Sequence, residues 1–408
     1  MATIKPFKAL RPKAKKAEQV ACVPYDVVTK DQLRSFVDEN QLSFLRVTRP
    51  RYEFEKGERP SWEQIFEKAK SNLEWFRSEK ILKLDNEDAV YVYRLSTKKH
   101  SQTGVVACCA LDEYENGVIK KHENVKPDKV EERAGHIVTL RAQTGLIFLA
   151  FRGTDEIAKL IKKTTAEDPK YDFEGSDGIR HTVWRVEGGE NFVDAFREVP
   201  SIYIADGHHR IEAARLARNE LREESASHNG TEDYNYVMAG MFPAEELRIL
   251  PYNRVVRDLN GMTSEQFLDA LRAEFGELTL GKRTPERHGD ISVYIDGKWI
   301  EFHAHGDLDA EADPIQRLDV SILQTQVLAP LLGIDDPRTD ERIAFVGGKK
   351  SVDEIERIVD AGDAAVGFSL YPPTIDDMLT VSDKGETMPP KSTWFEPKLK
   401  DGLLVHLI

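Results

Sequence analysis

Tyr203-Ile204-Ala205-Asp206-Gly207-His208-His209-Arg210-Ile211-Glu212-Ala213-Ala214 is the stretch on which the fold turns. Residues 202–205 are a short apolar run of buried-strand type, and the run stops abruptly at Asp206-Gly207. A helical pattern follows from about Arg210 to Glu224. A strand that enters a helix through so tight a turn leaves backbone N–H groups and the positive end of the helix dipole at the junction, a place where anions bind. Arg210 adds a fixed-charge fork for phosphate oxygens, and His208 and His209 can donate to oxygens or carry a proton. Asp206 stands at the strand end, where it acts as a base, orients a histidine or caps the helix. The plainer reading is a simple Asp-Gly turn with an N-cap and Arg210 as a surface charge. Two histidines and an arginine are poor turn-formers, which favours the anion site.

Working outward, residues 61–80 read as an amphipathic helix with a Ser61/Gln64 capping box. Residues 89–95 and 104–111 read as strands, 128–143 as a helix stopped near Gly145, and 146–151 as a buried strand. Residues 154–163 read as a helix and 182–186 as a strand. Residues 236–242 and 248–255 look like an adjacent strand pair. Thr263 and Gln266 cap a helix that ends at Gly276, Asp296-Gly297 signals a hairpin, and Ser351 with Glu354 suggests another capped helix. Strands and helices alternate irregularly, so the expected class is mixed α+β rather than a strict βαβ succession. A soft boundary near residue 245 divides a phosphate-binding region, 1–245, from a C-terminal α/β portion, 246–408.

The 408 residues suffice for two or three cores. A net charge of −14 argues against a nucleic-acid partner, which needs a basic face, yet leaves room for a small anion. Cys22, Cys108 and Cys109 have neither disulfide nor zinc spacing. No signal peptide or membrane-length apolar run is visible, so the expected home is cytoplasmic, with the oligomeric state open.

Three further clusters are candidates. Pro24-Tyr25-Asp26 supplies a carboxylate behind a restricted turn, or is a simple loop. Lys120-Lys121-His122-Glu123 joins cation, imidazole and carboxylate, or is a solvated charge run. In the tail, Met388-Pro389-Pro390-Lys391-Ser392-Thr393-Trp394-Phe395-Glu396-Pro397-Lys398 restricts a loop whose Lys391 and Thr393 are placed to meet a ligand phosphate, or is aromatic packing. The Gly347-Gly348-Lys349 run has the glycines of a phosphate loop without P-loop spacing.

Seven runs together carry a resemblance: PYDVV at 24–28, LSFLRVTRP at 42–50, IKKHE at 119–123, IADGHHR at 204–210, PYNRVVRDLNG at 251–261, DPRTDERIAFVGG at 336–348 and PPKSTWFEPKL at 389–399. The chain is identified as a member of the family called domain of unknown function 1015. Around the DGHHR turn that family resembles the ParB/sulfiredoxin-like superfamily, whose free-serine kinases carry nearly the same string. The resemblance implies a ParB/sulfiredoxin-like core with insertions and phosphoryl transfer to a hydroxyl such as that of L-serine. The implied donor is ATP, ADP or pyrophosphate with Mg²⁺. Gly207, His208, His209 and Arg210 would hold the donor phosphates, Asp206 would lie beside the acceptor, and Asp26 or Glu123 would assist as base. Sulfiredoxin's cysteine position is His208 here, so sulfinic acid reduction is not expected. The rival readings are a nucleotide-binding switch without catalysis and a phosphohydrolase.

Overall fold

The structure, a computed structural model, describes residues 1–25, 27, 30–55, 57–305 and 313–408. It is mixed α+β with several sheets. The chain divides into two compact units. The first comprises Met1–Lys121, Val125–Leu247 and Pro397–Ile408; the second comprises His122–Asn124 and Arg248–Glu396.

The first unit is built on a nine-stranded sheet. From one edge its order is Ile119–Lys120, Ile202–Asp206, Ile147–Phe151, Tyr236–Pro243, Ser101–Ala110, Ala89–Ser96, Arg180–Glu187 and Tyr171–Glu174. Ile4–Lys5 adds to Ser101–Ala110 off this path. The central strands are buried on both faces, which is why Ala89–Ser96 and Ile147–Phe151 read as near-continuous apolar runs. Helices Pro127–Leu140 and His208–Glu224 meet through Val130, Ala134, Ala213 and Ala217, small side chains that let the two backbones approach. A four-stranded sheet joins Leu82–Leu84, Ala9–Pro12, Val405–Leu407 and Ala142–Gln143, so the chain's last strand belongs to the first unit.

The second unit holds a six-stranded sheet. Asp290–Ile295 and Lys298–His303 form its hairpin, with Asp296 at φ 49° and Gly297 at φ 74°, the two positive values that a two-residue turn of the I′ kind requires. Among the described residues no helix is long and apolar enough to cross a membrane.

Three expectations about elements are corrected. Residues 236–242 and 248–255 are not a pair: Tyr236–Pro243 lies between Ser101–Ala110 and Ile147–Phe151, whereas Tyr252–Val256 lies between Ile343–Gly347 and Val366–Leu370. Alternation marks a strand but does not choose its neighbour. The helix expected to reach residue 143 ends at Leu140, because Arg141 turns left-handed at φ 49° and Ala142–Gln143 pairs with the tail strand. Ser351 does not cap its helix. It is the first helical residue, with its hydroxyl accepting from Asn253 Nδ2 at 3.0 Å.

Candidate functional site

The strand Ile202–Asp206 and the helix His208–Glu224 are separated by one residue, Gly207. Gly207 has φ 102°, and a Cβ there would meet Ile147 Cγ2 at 3.5 Å and Arg210 Cδ and Ile147 Cα at 3.6 Å, all ordinary contacts. Backbone conformation, not space, is therefore what demands glycine. The register against Ile147–Phe151 slips between Ile204 and Asp206, a bulge that re-aims the strand end. The N-cap residue, Gly207, has no side chain with which to cap this helix. His208 and Arg210 are buried within its first turn, where the dipole is positive.

Asp206 is the electrostatic centre of the turn. Lys398 Nζ lies 2.8 Å from its Oδ1, and Arg210 Nη2 lies 3.4 Å from its Oδ2. Burial alone would raise this carboxyl, but Lys398 first and then Arg210 outweigh it and hold it well below the usual carboxylate range. A carboxylate held so low is ionised at neutral pH and a weak proton acceptor. Arg210 also donates to the Leu146 carbonyl at 2.7 Å, which fixes the guanidinium. His209 Nε2 accepts from the Lys126 amide at 3.1 Å. Upstream, Tyr203 is flanked by Lys120 Nζ at 5.7 Å and Arg152 at 5.2 Å from its ring centre. Lys120, Arg152, Arg210 and Lys398 surround the strand with positive charge, whatever the sign of the whole chain.

Tyr25 joins this turn to other cations. Its ring centre lies 5.5 Å from the Arg210 guanidinium, 4.0 Å from that of Arg133 and 5.0 Å from that of Arg49. Asp26, the next residue and an expected base, lies outside the described residues.

His122, Glu123, Lys391 and Thr393 belong to the second unit. Glu123 is half-buried, and its neighbour His122 bonds through Nε2 to the Thr393 hydroxyl at 3.1 Å. Lys391 is exposed, with φ 55° and its Nζ 5.6 Å from the Tyr252 ring. Gly347 and Gly348 lie beneath Trp394: a Cβ on Gly347 would sit 2.3 Å from Trp394 Cε3. Lys349 pairs with Glu396 at 3.0 Å. Close aromatic packing thus accounts for that glycine pair.

Arg49 and Arg133 were not singled out by spacing, whereas Tyr25 stood in the Pro24–Asp26 cluster and Lys398 ended the tail segment, neither with a role of its own. Lys398 lies 192 positions from the carboxylate it holds. In the sequence it stood out only as part of the 388–398 tail segment and of the PPKSTWFEPKL run.

A mixed α+β chain with an anion-suited strand–turn–helix describes a broad class. The family described as Protein of unknown function (DUF1015) matches residues 4–321, and the chain belongs to it. Among solved structures it is similar to a conserved hypothetical protein from Pyrococcus furiosus, at 15% identity over 74% of this chain and 95% of that one, with a TM-score of 0.35. It is also similar to C-terminally truncated SbnI from Staphylococcus aureus (14% identity, 74% and 87% covered, TM-score 0.38). A third is a free serine kinase in complex with AMP (14% identity, 74% and 89% covered, TM-score 0.35). No curated protein sequence matches the chain.

Proposed function

We propose that this protein transfers a terminal phosphoryl group from a nucleotide or pyrophosphate to a hydroxyl acceptor, L-serine being the acceptor that the DGHHR resemblance implies. On the same resemblance, the core is of the ParB/sulfiredoxin-like kind. The observation that carries the reading is the Asp206–Arg210 turn: a left-handed Gly207 at the helix start, and Arg210 and Lys398 converging on one carboxylate. In the reaction, the acceptor oxygen bonds to the terminal phosphorus and the bond to the leaving phosphate oxygen breaks. The hydroxyl proton passes to a base.

Gly207, His208, His209 and Arg210 hold the donor phosphates in this reading, and charge stabilisation rather than covalent chemistry lowers the barrier. Asp206, with both oxygens on cations, positions Lys398 and Arg210 and is assigned no proton transfer. Asp26 or Glu123 takes the base role, as the resemblance implies. The doubly paired Asp206 does not suit a resident Mg²⁺. The ion enters with the donor phosphates as part of the substrate.

The test is phosphorus NMR of the full chain with ATP, ADP, CTP or pyrophosphate and Mg²⁺, each with and without serine. Serine-dependent donor loss with a new phosphomonoester signal is expected. Donor loss without serine would replace the reading with a phosphohydrolase, and binding without turnover would replace it with a switch.

A further inference from the structure

Within the first unit, the segment after Leu45–Thr48 and the helices Trp62–Ser78 and Pro127–Leu140 line a cleft of about 690 Å³. That volume falls in the roughly 300–1,000 Å³ range of sites for small organic ligands. Among the described residues, five cationic side chains line it against three carboxylates. The most buried carboxylate, Glu132, is already shared: Arg133 lies at 2.5 Å, Lys129 at 3.4 Å and Arg49 at 4.0 Å. One negative charge thus serves three positive ones. Burial, and then Arg133, push the Arg49 guanidinium down from its ordinary value, so the cluster is crowded with like charge. Arg51 is exposed and makes no ion pair among the described residues.

The other wall is aromatic. Trp62 and Phe66 stack at 5.9 Å with a 22° interplanar angle, and Trp62 remains 46% exposed. Arg51 lies 6.0 Å from the Trp62 ring centre. Gly135 keeps the place for Phe66, since a Cβ there would sit 2.6 Å from Phe66 Cε2. The buried Thr48 hydroxyl on the same lining has no hydrogen-bond partner among the described residues. An exposed ring beside a guanidinium cluster suits a molecule with a flat face and a negative end.

We infer that this cleft is a binding site for an organic anion bearing a flat conjugated ring, its phosphate or carboxylate held by Arg49, Arg51 and Arg133 and its ring laid on Trp62. The site stands whether or not the Asp206 turn transfers phosphate. Calorimetric titration of the full chain with 1-naphthyl phosphate, 2-naphthoate, 1-naphthol and inorganic phosphate tests it. At least one naphthyl anion should bind saturably, and its preference over the other identifies the anionic group. Naphthol and inorganic phosphate, each lacking one half of the recognition, should bind at least about tenfold more weakly. Arg51→Gln and Trp62→Ala, both at exposed positions, should each weaken the anion about tenfold with an unchanged far-ultraviolet circular dichroism spectrum. No saturable binding up to ~1 mM, naphthol binding as tightly as the anions, or affinity indifferent to both substitutions would overturn the assignment.

Discussion

Lys398 and Arg210 hold Asp206 by different means, one as a compact ammonium at 2.8 Å and the other as a fork that is also tied to the Leu146 carbonyl. The depressed Asp206 carboxyl contributes stability that is present above the unfolded value, about 3.9, and is lost as pH falls through the lower folded value. Lys398→Met should let this carboxyl rise toward its ordinary range, which carbon NMR of the side chain would register. Because Arg210 remains as a partner, the cost at pH 7 should be about 1–3 kcal/mol in urea unfolding. Arg210→Ala should weaken a phosphate-bearing ligand by about 1.5–3 kcal/mol, the range for charge-assisted hydrogen bonds. Unchanged affinity by calorimetry, in a variant with native circular dichroism, would remove Arg210 from the anion site. The turn Gly207–Arg210 was legible as a strand–turn–helix junction because local chemistry places those residues together. The pairing of Lys398 with Asp206 was not, because no local rule links a lysine to a carboxylate 192 positions earlier.

Elements with chemical punctuation came through closely. Ser61 and Gln64 cap Trp62–Ser78 reciprocally, Thr263 and Gln266 do the same for Ser264–Phe275, and Asp296-Gly297 closes its hairpin. Where punctuation was ambiguous, tertiary demands prevailed: the Ser351 hydroxyl went to Asn253 rather than to its own helix. The strand Ile343–Gly347 carries the clearest packing constraint at this scale. Its last residue faces Trp394, which Tyr252 holds at a 5.3 Å ring separation and Glu396 holds through the indole N–H at 3.1 Å. Gly347→Ala should therefore cost about 1–3 kcal/mol through overpacking. Urea unfolding followed by tryptophan fluorescence would measure it, and an unaltered midpoint would mean that Trp394 moves aside freely.

At the scale of the molecule, two buried histidines tie stability to pH. Burial, and then Arg133, push His136 down to about 4, while its Nε2–H donates to the Val47 carbonyl at 3.0 Å. Burial, and then Lys400, push His181 down to about 3, with its Nδ1 bonded to Tyr93 at 2.7 Å. Both folded values lie below the unfolded one of about 6.5, so between pH 6.5 and 4 the unfolded chain binds protons that the folded chain refuses. Stability should fall across that window, by about 3 kcal/mol at pH 4 from His136 alone. Urea midpoints should drop steadily as pH falls through the window, and His136→Gln should flatten part of the slope. A flat profile in the parent would mean that these rings are solvated. The sequence by itself determined the mixed α+β class, most helix and strand positions, and the Asp206–Arg210 turn. These rest on periodicity, capping and glycine conformation, all short-range. Only the tertiary structure decided which strands are neighbours, that residues 397–408 return to the first unit, and that Lys398 answers Asp206. It likewise decided that Tyr25, Arg49 and Arg133 share one cluster. Burial and charge pairing act through space, and spacing along the chain carries no record of them.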